Sequence, residues 1–149
     1  MSIQAECAAL KKIPMFHDVE MAKLRLFALS GERMAYDAGD VIFRQNEPSE
    51  ALYVILDGSV DVILESPAGR LRVAQISEGN MFGETGVLCD KSRTATIEAA
   101  TPVTVIQIDR HTFNEVARDV PQLSLAIARE LARRVERMNE QFAAKNNNS

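Results

Sequence analysis

The spacing of apolar positions changes period twice along the chain. Over residues 2–30 it is helical: Cys7, Leu10 and Lys11 precede a break at Ile13-Pro14, and Val19, Leu24, Phe27 and Ala28 resume it. Asp18 stands where the second helix would take its N-cap. Over 32–108 the chain reads as short apolar runs cut by turn residues, the pattern of a β-barrel or jelly roll. The runs are Val41-Ile42-Phe43, Ala51 to Leu56, Ser59 to Leu64 and Leu71 to Ile76. Breakers fall at Asp37-Ala38-Gly39-Asp40, Asn46-Glu47-Pro48, Asp57-Gly58, Ser66-Pro67-Ala68-Gly69 and Glu78-Gly79-Asn80. Asp57-Gly58 has the two-residue spacing of a tight hairpin. A last strand pair, Arg93 to Ala99 and Val103 to Ile108, is expected to close the barrel.

From Asp109 the helical period returns. Asp109 caps a helix over Arg110 to Arg118, and Pro121 starts a longer one to about Phe142, leaving 143–149 as a frayed polar tail. The expectation is one domain of α+β class: an eight-stranded antiparallel β jelly roll flanked by N-terminal helices and a C-terminal helix pair.

Composition narrows the chemistry. At 149 residues the chain can bury a full core without staples, and a net charge of −4 argues against nonspecific nucleic-acid binding. No apolar run approaches a membrane span, and the start Met1 to Glu6 lacks the basic and apolar regions of a signal peptide. Cys7 and Cys89 stand in no metal or redox spacing and read as free thiols in a reducing cytoplasm. His17 and His111 lie far apart with no Cys or carboxylate cluster, so no metal site is expected.

The most informative stretch is Phe82-Gly83-Glu84-Thr85-Gly86-Val87-Leu88, followed by Arg93-Thr94-Ala95. Its glycines let the backbone turn tightly and aim several N–H groups at one spot. Glu84 can accept hydrogen bonds from a vicinal hydroxyl, and the Arg93 guanidinium can pair with phosphate oxygens. The alternative is that the glycines only shape a turn and Glu84 pairs with Arg93.

The segment resembles the phosphate-binding cassette of cyclic-nucleotide-binding domains: F-G-E, a small residue two further on, then R-[ST]-A. The resemblance implies that Glu84 takes the ribose 2′-OH and that Arg93, with the loop amides, takes the exocyclic phosphate oxygens. Thr85 departs from the usual Leu or Ile at a position used through its backbone. The likeness extends over roughly 10–140. Leu10 to Phe16 is similar to the family's first helix and turn, and Gly39 to Phe43 with Tyr53 to Gly58 to its first strands.

In the last helix Ala128, Leu131, Val135, Met138 and Phe142 form a heptad seam, while Leu123 and Ile127 lie off it and should lean on the barrel. In the catabolite-activator branch of the family the matching helix pairs two subunits, and DNA-binding helices follow. A homodimer through the seam is therefore one expectation, packing on the chain's own barrel the other. The chain stops before any such helices, so direct DNA binding is not expected. Arg134 lands where pacemaker-type channels carry an Arg that caps the purine; the plain alternative is pairing with Glu130 four residues earlier.

These features point to a stand-alone cytosolic receptor for a cyclic purine mononucleotide, a regulatory ligand rather than a cofactor. Phe82, Gly83, Glu84, Thr85, Gly86, Arg93, Thr94 and Arg134 would bind it, and a protein partner would receive the signal from a shifted C-terminal helix. The Thr94 hydroxyl can reach a guanine amino group, yet relatives preferring cAMP share it, and cAMP is placed ahead of cGMP. The rival is a ligand-free barrel that docks or dimerises. An enzyme is not expected: no nucleophile–base or metal constellation appears.

Overall fold

Ala51 to Leu56 carries no charged position because that strand has no solvent side. The computed structural model describes residues 3–147. Among these, strands β1 (Glu32–Tyr36), β2 (Val41–Phe43), β3 (Ala51–Asp57), β4 (Ser59–Ser66), β5 (Gly69–Ser77), β6 (Met81–Phe82), β7 (Thr96–Ala99) and β8 (Val103–Asp109) form two four-stranded sheets. One runs β1-β8-β3-β6 and the other β2-β7-β4-β5, all pairs antiparallel. Helices α1 (Ile3–Lys11) and α2 (Met21–Ser30) precede the barrel, α3 (Glu84–Cys89) interrupts it, and α4 (Arg110–Asp119) and α5 (Pro121–Asn147) follow. The expected jelly roll flanked by helices is the fold observed.

Alternate residues of β3 and β8 serve two cores. Leu52, Val54, Ile106 and Ile108 point outward onto the helices, against Leu10, Phe16, Leu24, Phe27, Phe113, Leu123 and Ile127. Tyr53, Ile55 and Val105 point between the sheets, against Val60, Phe82, Ile97 and Ala99. Each such side chain, fully buried, stabilises the fold by roughly 1.5–3 kcal/mol. The central strands thus hold the helical layer and the barrel interior together.

Several local expectations change. Asp57-Gly58 is not a hairpin: β3 and β4 belong to different sheets, so this turn carries the chain from one sheet to the other. The two-residue hairpin lies instead at Pro67-Ala68, where Ser66 pairs with Gly69. The last two strands do not pair with each other. β7 lies between β2 and β4, and β8 between β1 and β3. The run expected from Arg93 starts as a strand only at Thr96. Asp18 does not cap α2. The 3₁₀ turn Pro14–Phe16 is extended by Val19 N–H to Phe16 O at 3.0 Å, and the helix begins at Met21 after an extended Glu20 whose side chain caps nothing.

The stretch after β6 is not an open loop but the short helix α3. The β2–β3 loop is stitched to residue 93 by two backbone bonds, Asn46 N–H to Arg93 O and Arg93 N–H to Glu47 O, both 2.8 Å. This places Ser49 directly against Gly86, where any Cβ would overlap the serine's Cβ and Oγ. Gly86 is therefore needed for close approach, and α3 is seated by it.

Asp109 caps α4 as expected, its carboxylate accepting the Thr112 N–H at 2.7 Å. That bond holds the Asp109 carboxyl below its ordinary value. In α5, Leu123, Ala126 and Ile127 are buried on the fold, and the helix continues past Phe142 to Asn147. The heptad seam divides. Leu131 packs on the chain's own core, Ala128 is exposed, and Val135, Met138 and Phe142 are 55%, 66% and 67% exposed.

Gly86→Ala should dislodge α3 and destabilise the protein by 1–3 kcal/mol, about the cost of an overpacked contact. Adding Ser49→Gly should recover part of this in urea unfolding, because Lys91 O still lies 2.8 Å from the new methyl. Full recovery, or none, would contradict the packing. Asp109→Ala should cost about 1 kcal/mol at neutral pH. A carboxyl whose folded value is depressed stabilises above its unfolded value and loses that contribution as pH falls. The difference from wild type in unfolding free energy should therefore shrink below about pH 4.

Candidate functional site

Gly83 ends β6 in the left-handed region at φ 79°, which turns the chain sharply so that Glu84 begins α3. A Cβ at Gly83 would lie 2.8 Å from Arg93 Nη1, so the guanidinium is packed directly beneath this turn. Nη1 donates to Gly83 O at 2.8 Å and Nη2 to Ala51 O at 2.6 Å. The group lies over the Phe43 ring, 3.9 Å from its centroid. Phe43 is braced in turn by Tyr53 and Phe82, which stack at 4.8 Å.

Arg93 is 4% exposed, and its Nε is buried without a hydrogen-bond partner. Among the described residues no carboxylate lies within ion-pairing distance of it. Burial pushes its pKa down, the direction expected for a desolvated cation. Two carbonyls and an aromatic face offset only part of the cost of burying a charge, which is several kcal/mol when unpaired. The geometry therefore leaves a buried cation on the wall of a cavity with no carboxylate in ion-pairing distance, Glu47 and Glu50 acting on it only from further away.

Glu84 is 7% exposed and does not pair with Arg93. It is held by Arg134 of α5, with Nη1 to Oε1 at 2.7 Å, while Arg134 Nη2 donates to Met81 O at 2.9 Å. The i−4 pairing is present too but looser: Arg134 Nε lies 3.7 Å from Glu130 Oε1. Glu130 is buried and also met by Arg133 and Arg137.

Phe82, Gly83, Glu84, Thr85, Gly86, Arg93, Thr94 and Arg134 all line one cavity of about 140 Å³. Its remaining walls, Phe43, Val62, Ile76, Ala95 and Ile97, are apolar. The first amides of α3 have no intrahelical acceptor, and the residues that carry them, Glu84, Thr85 and Gly86, line the same cavity as Arg93. The cavity thus offers a cation and amides for an anion, one carboxylate for hydroxyls, and an apolar wall for a flat ring. A larger, shallower depression of about 720 Å³ lies behind α3; among the charges lining it, Asp90 pairs with Arg110 and Asp109 accepts the Thr112 amide. Among the described residues no cluster of His, Cys, Asp or Glu could hold a metal ion, and no helix is long and apolar enough to cross a membrane.

Two contributors escaped the sequence reading. Phe43 sits in a recognised strand, but nothing in its spacing says that its ring carries a guanidinium. Arg110 opens α4, yet its side chain reaches back to Ser49 O and Asp90.

Comparison with known proteins identifies the family. The chain is 32% identical over 115 residues to a lysophospholipase of Aspergillus fumigatus, covering 76% of this chain but 7% of that protein. It is 28% identical over 135 residues to a CRP-like cAMP-activated global transcriptional regulator of Mycobacterium tuberculosis, covering 90% of this chain and 60% of the regulator. The crystal structure of the Thermus thermophilus catabolite activator protein superposes with a TM-score of 0.78 at 25% identity, covering 87% of this chain and 61% of that one. The chain therefore spans only part of the length of these relatives. Residues 33–119, more than half the sequence, match the family model of the cyclic nucleotide-binding domain, and the chain belongs to that family.

Proposed function

We propose that this protein is a cytoplasmic receptor for a cyclic purine mononucleotide, cAMP ahead of cGMP, and that it signals through α5 rather than by catalysis. The observation that carries this reading is Arg93: a buried cation with no carboxylate in ion-pairing distance, lining a cavity together with the first residues of α3. A cyclic phosphate supplies the missing charge. Glu84 then takes the ribose hydroxyl, the apolar wall takes the base, and Arg134 stacks over the purine from α5. The mycobacterial relative is described as cAMP-activated, which supports the order of preference.

The cavity's volume bears on the signal. About 140 Å³ is well under the roughly 300 Å³ at which small-molecule sites begin. On this reading binding moves α5 and Arg134 away from Glu84, and their contacts re-form around the ligand. A ligand biases that helix only by its differential affinity for the two positions. The exposed stripe of Val135, Met138 and Phe142 is where a second copy or a protein partner would read the movement. It is also what favours the rival reading, a ligand-free docking module. That reading leaves the buried Arg93 charge unexplained.

Titration calorimetry with cAMP and cGMP separates the two. Wild type should bind, and Arg93→Ala should lose 2–5 kcal/mol of affinity, tens- to thousands-fold, equally for both nucleotides because they share one phosphate. Unchanged affinity would remove Arg93 from the site. Glu84→Gln should cost less, on the order of 1–2 kcal/mol. A 2′-deoxy cyclic nucleotide should lose a comparable amount on wild type and little more on Glu84→Gln. Additive losses would mean that Glu84 does not touch the ribose.

A further inference from the structure

Phe43 ends β2, a strand of three residues whose ladder with β7 is irregular. Val41 opposes Glu98 but Phe43 opposes Ile97, so Ile42 is an extra residue on the β2 side. A regular ladder would set Phe43 opposite Thr96. The bulge sets it opposite Ile97 instead, and directly opposed residues share a face of the sheet. Ile97 and Phe43 both line the cavity.

The ring is then pinned in place. Its centroid lies 5.9 Å from Tyr53 and 6.0 Å from Phe82, two rings stacked on each other at 4.8 Å. On a third side Gly83 leaves no slack, since a Cβ there would come within 3.3 Å of Phe43 Cε2. The Arg93 guanidinium lies over this ring at 3.9 Å, while Tyr53 is a more distant second at 6.0 Å. Gly83 O and Ala51 O fix the two terminal nitrogens, and the ring face fixes the plane they lie in.

We infer that Phe43 is a positioning residue: its ring holds the Arg93 guanidinium in one plane at the cavity wall before any anion arrives. A long side chain ordered in advance loses little rotamer freedom on binding, so the hold favours affinity. The plain alternative is a ring that only walls the base. The inference rests on the nucleotide reading for the anion, but not for the hold on Arg93.

Urea unfolding of the full chain without ligand tests the hold. Phe43→Leu should raise the unfolding constant roughly tenfold more in wild type than in the Arg93→Leu background, the scale of a desolvated cation–ring contact. Equal effects in both backgrounds would overturn it, whether or not any nucleotide binds. Calorimetry with cAMP tests the consequence. Phe43→Leu should weaken binding about tenfold, and Phe43→Tyr, which restores an aromatic face, should recover most of that loss. Unchanged affinity in Phe43→Leu would overturn the positioning role. Arg93→Lys keeps the charge without the planar fork, so adding Phe43→Leu to it should weaken cAMP binding little further. Losses that simply multiply would leave the ring as a wall for the base and also overturn it. Should Phe43→Leu fail to fold, the longer Phe43→Met decides by the same readouts. A wild type that ignores cAMP would sink the nucleotide reading and leave the unfolding comparison to decide the hold.

Discussion

Strand β3 has to be dry on both faces, and most of the architecture follows from that requirement. A strand with two buried faces needs a layer on each side. The helices supply one through Leu52 and Val54, and the second sheet supplies the other through Tyr53 and Ile55. The same strand also carries the site. Ala51 lends its carbonyl to Arg93, and Tyr53 braces Phe43 and Phe82, two residues of the cavity wall. Arg93 and two residues of the cavity wall are thus tied to a strand that is buried on both faces.

The three guanidiniums around α3 show three different charge balances. Arg110 has a carboxylate and two carbonyls, and Arg134 has Glu84 and, more loosely, Glu130. Arg93 has carbonyls and a ring but no anion. A buried cation without a counter-charge is tolerated only where the surrounding structure forces it, and such sites concentrate at functional positions. Among these three, charge balance alone singles out Arg93, even without a family motif.

How much of this was legible in the sequence depended on whether the deciding contact was local. The apolar run of β3 was legible as a strand, though not as one buried on both faces. The Asp109 cap needed only the residues three apart that form it. The glycine-rich run with Glu84 and Arg93 was legible because the cassette is nearly contiguous. Strand partners were not legible: alternation tells which face of β7 or β8 is buried, never which strand lies beside it. Asp57-Gly58 misled for that reason, since a two-residue turn joins strands equally well within a sheet or across two. The pairing of Glu84 with Arg134 spans 50 residues and depends on how α5 crosses the barrel. Local periodicity cannot supply that angle.

Beyond Arg134 the final helix has no buried side chain among the described residues. From there to Asn147 it is about 20 Å long at 1.5 Å per residue, so a tilt of 10° at Arg134 displaces its tip by about 3 Å. At the end of the segment such a tilt amounts to nearly a full side-chain width, so the sweep of the helix end grows with the length of helix beyond Arg134, for the same change of angle at its base.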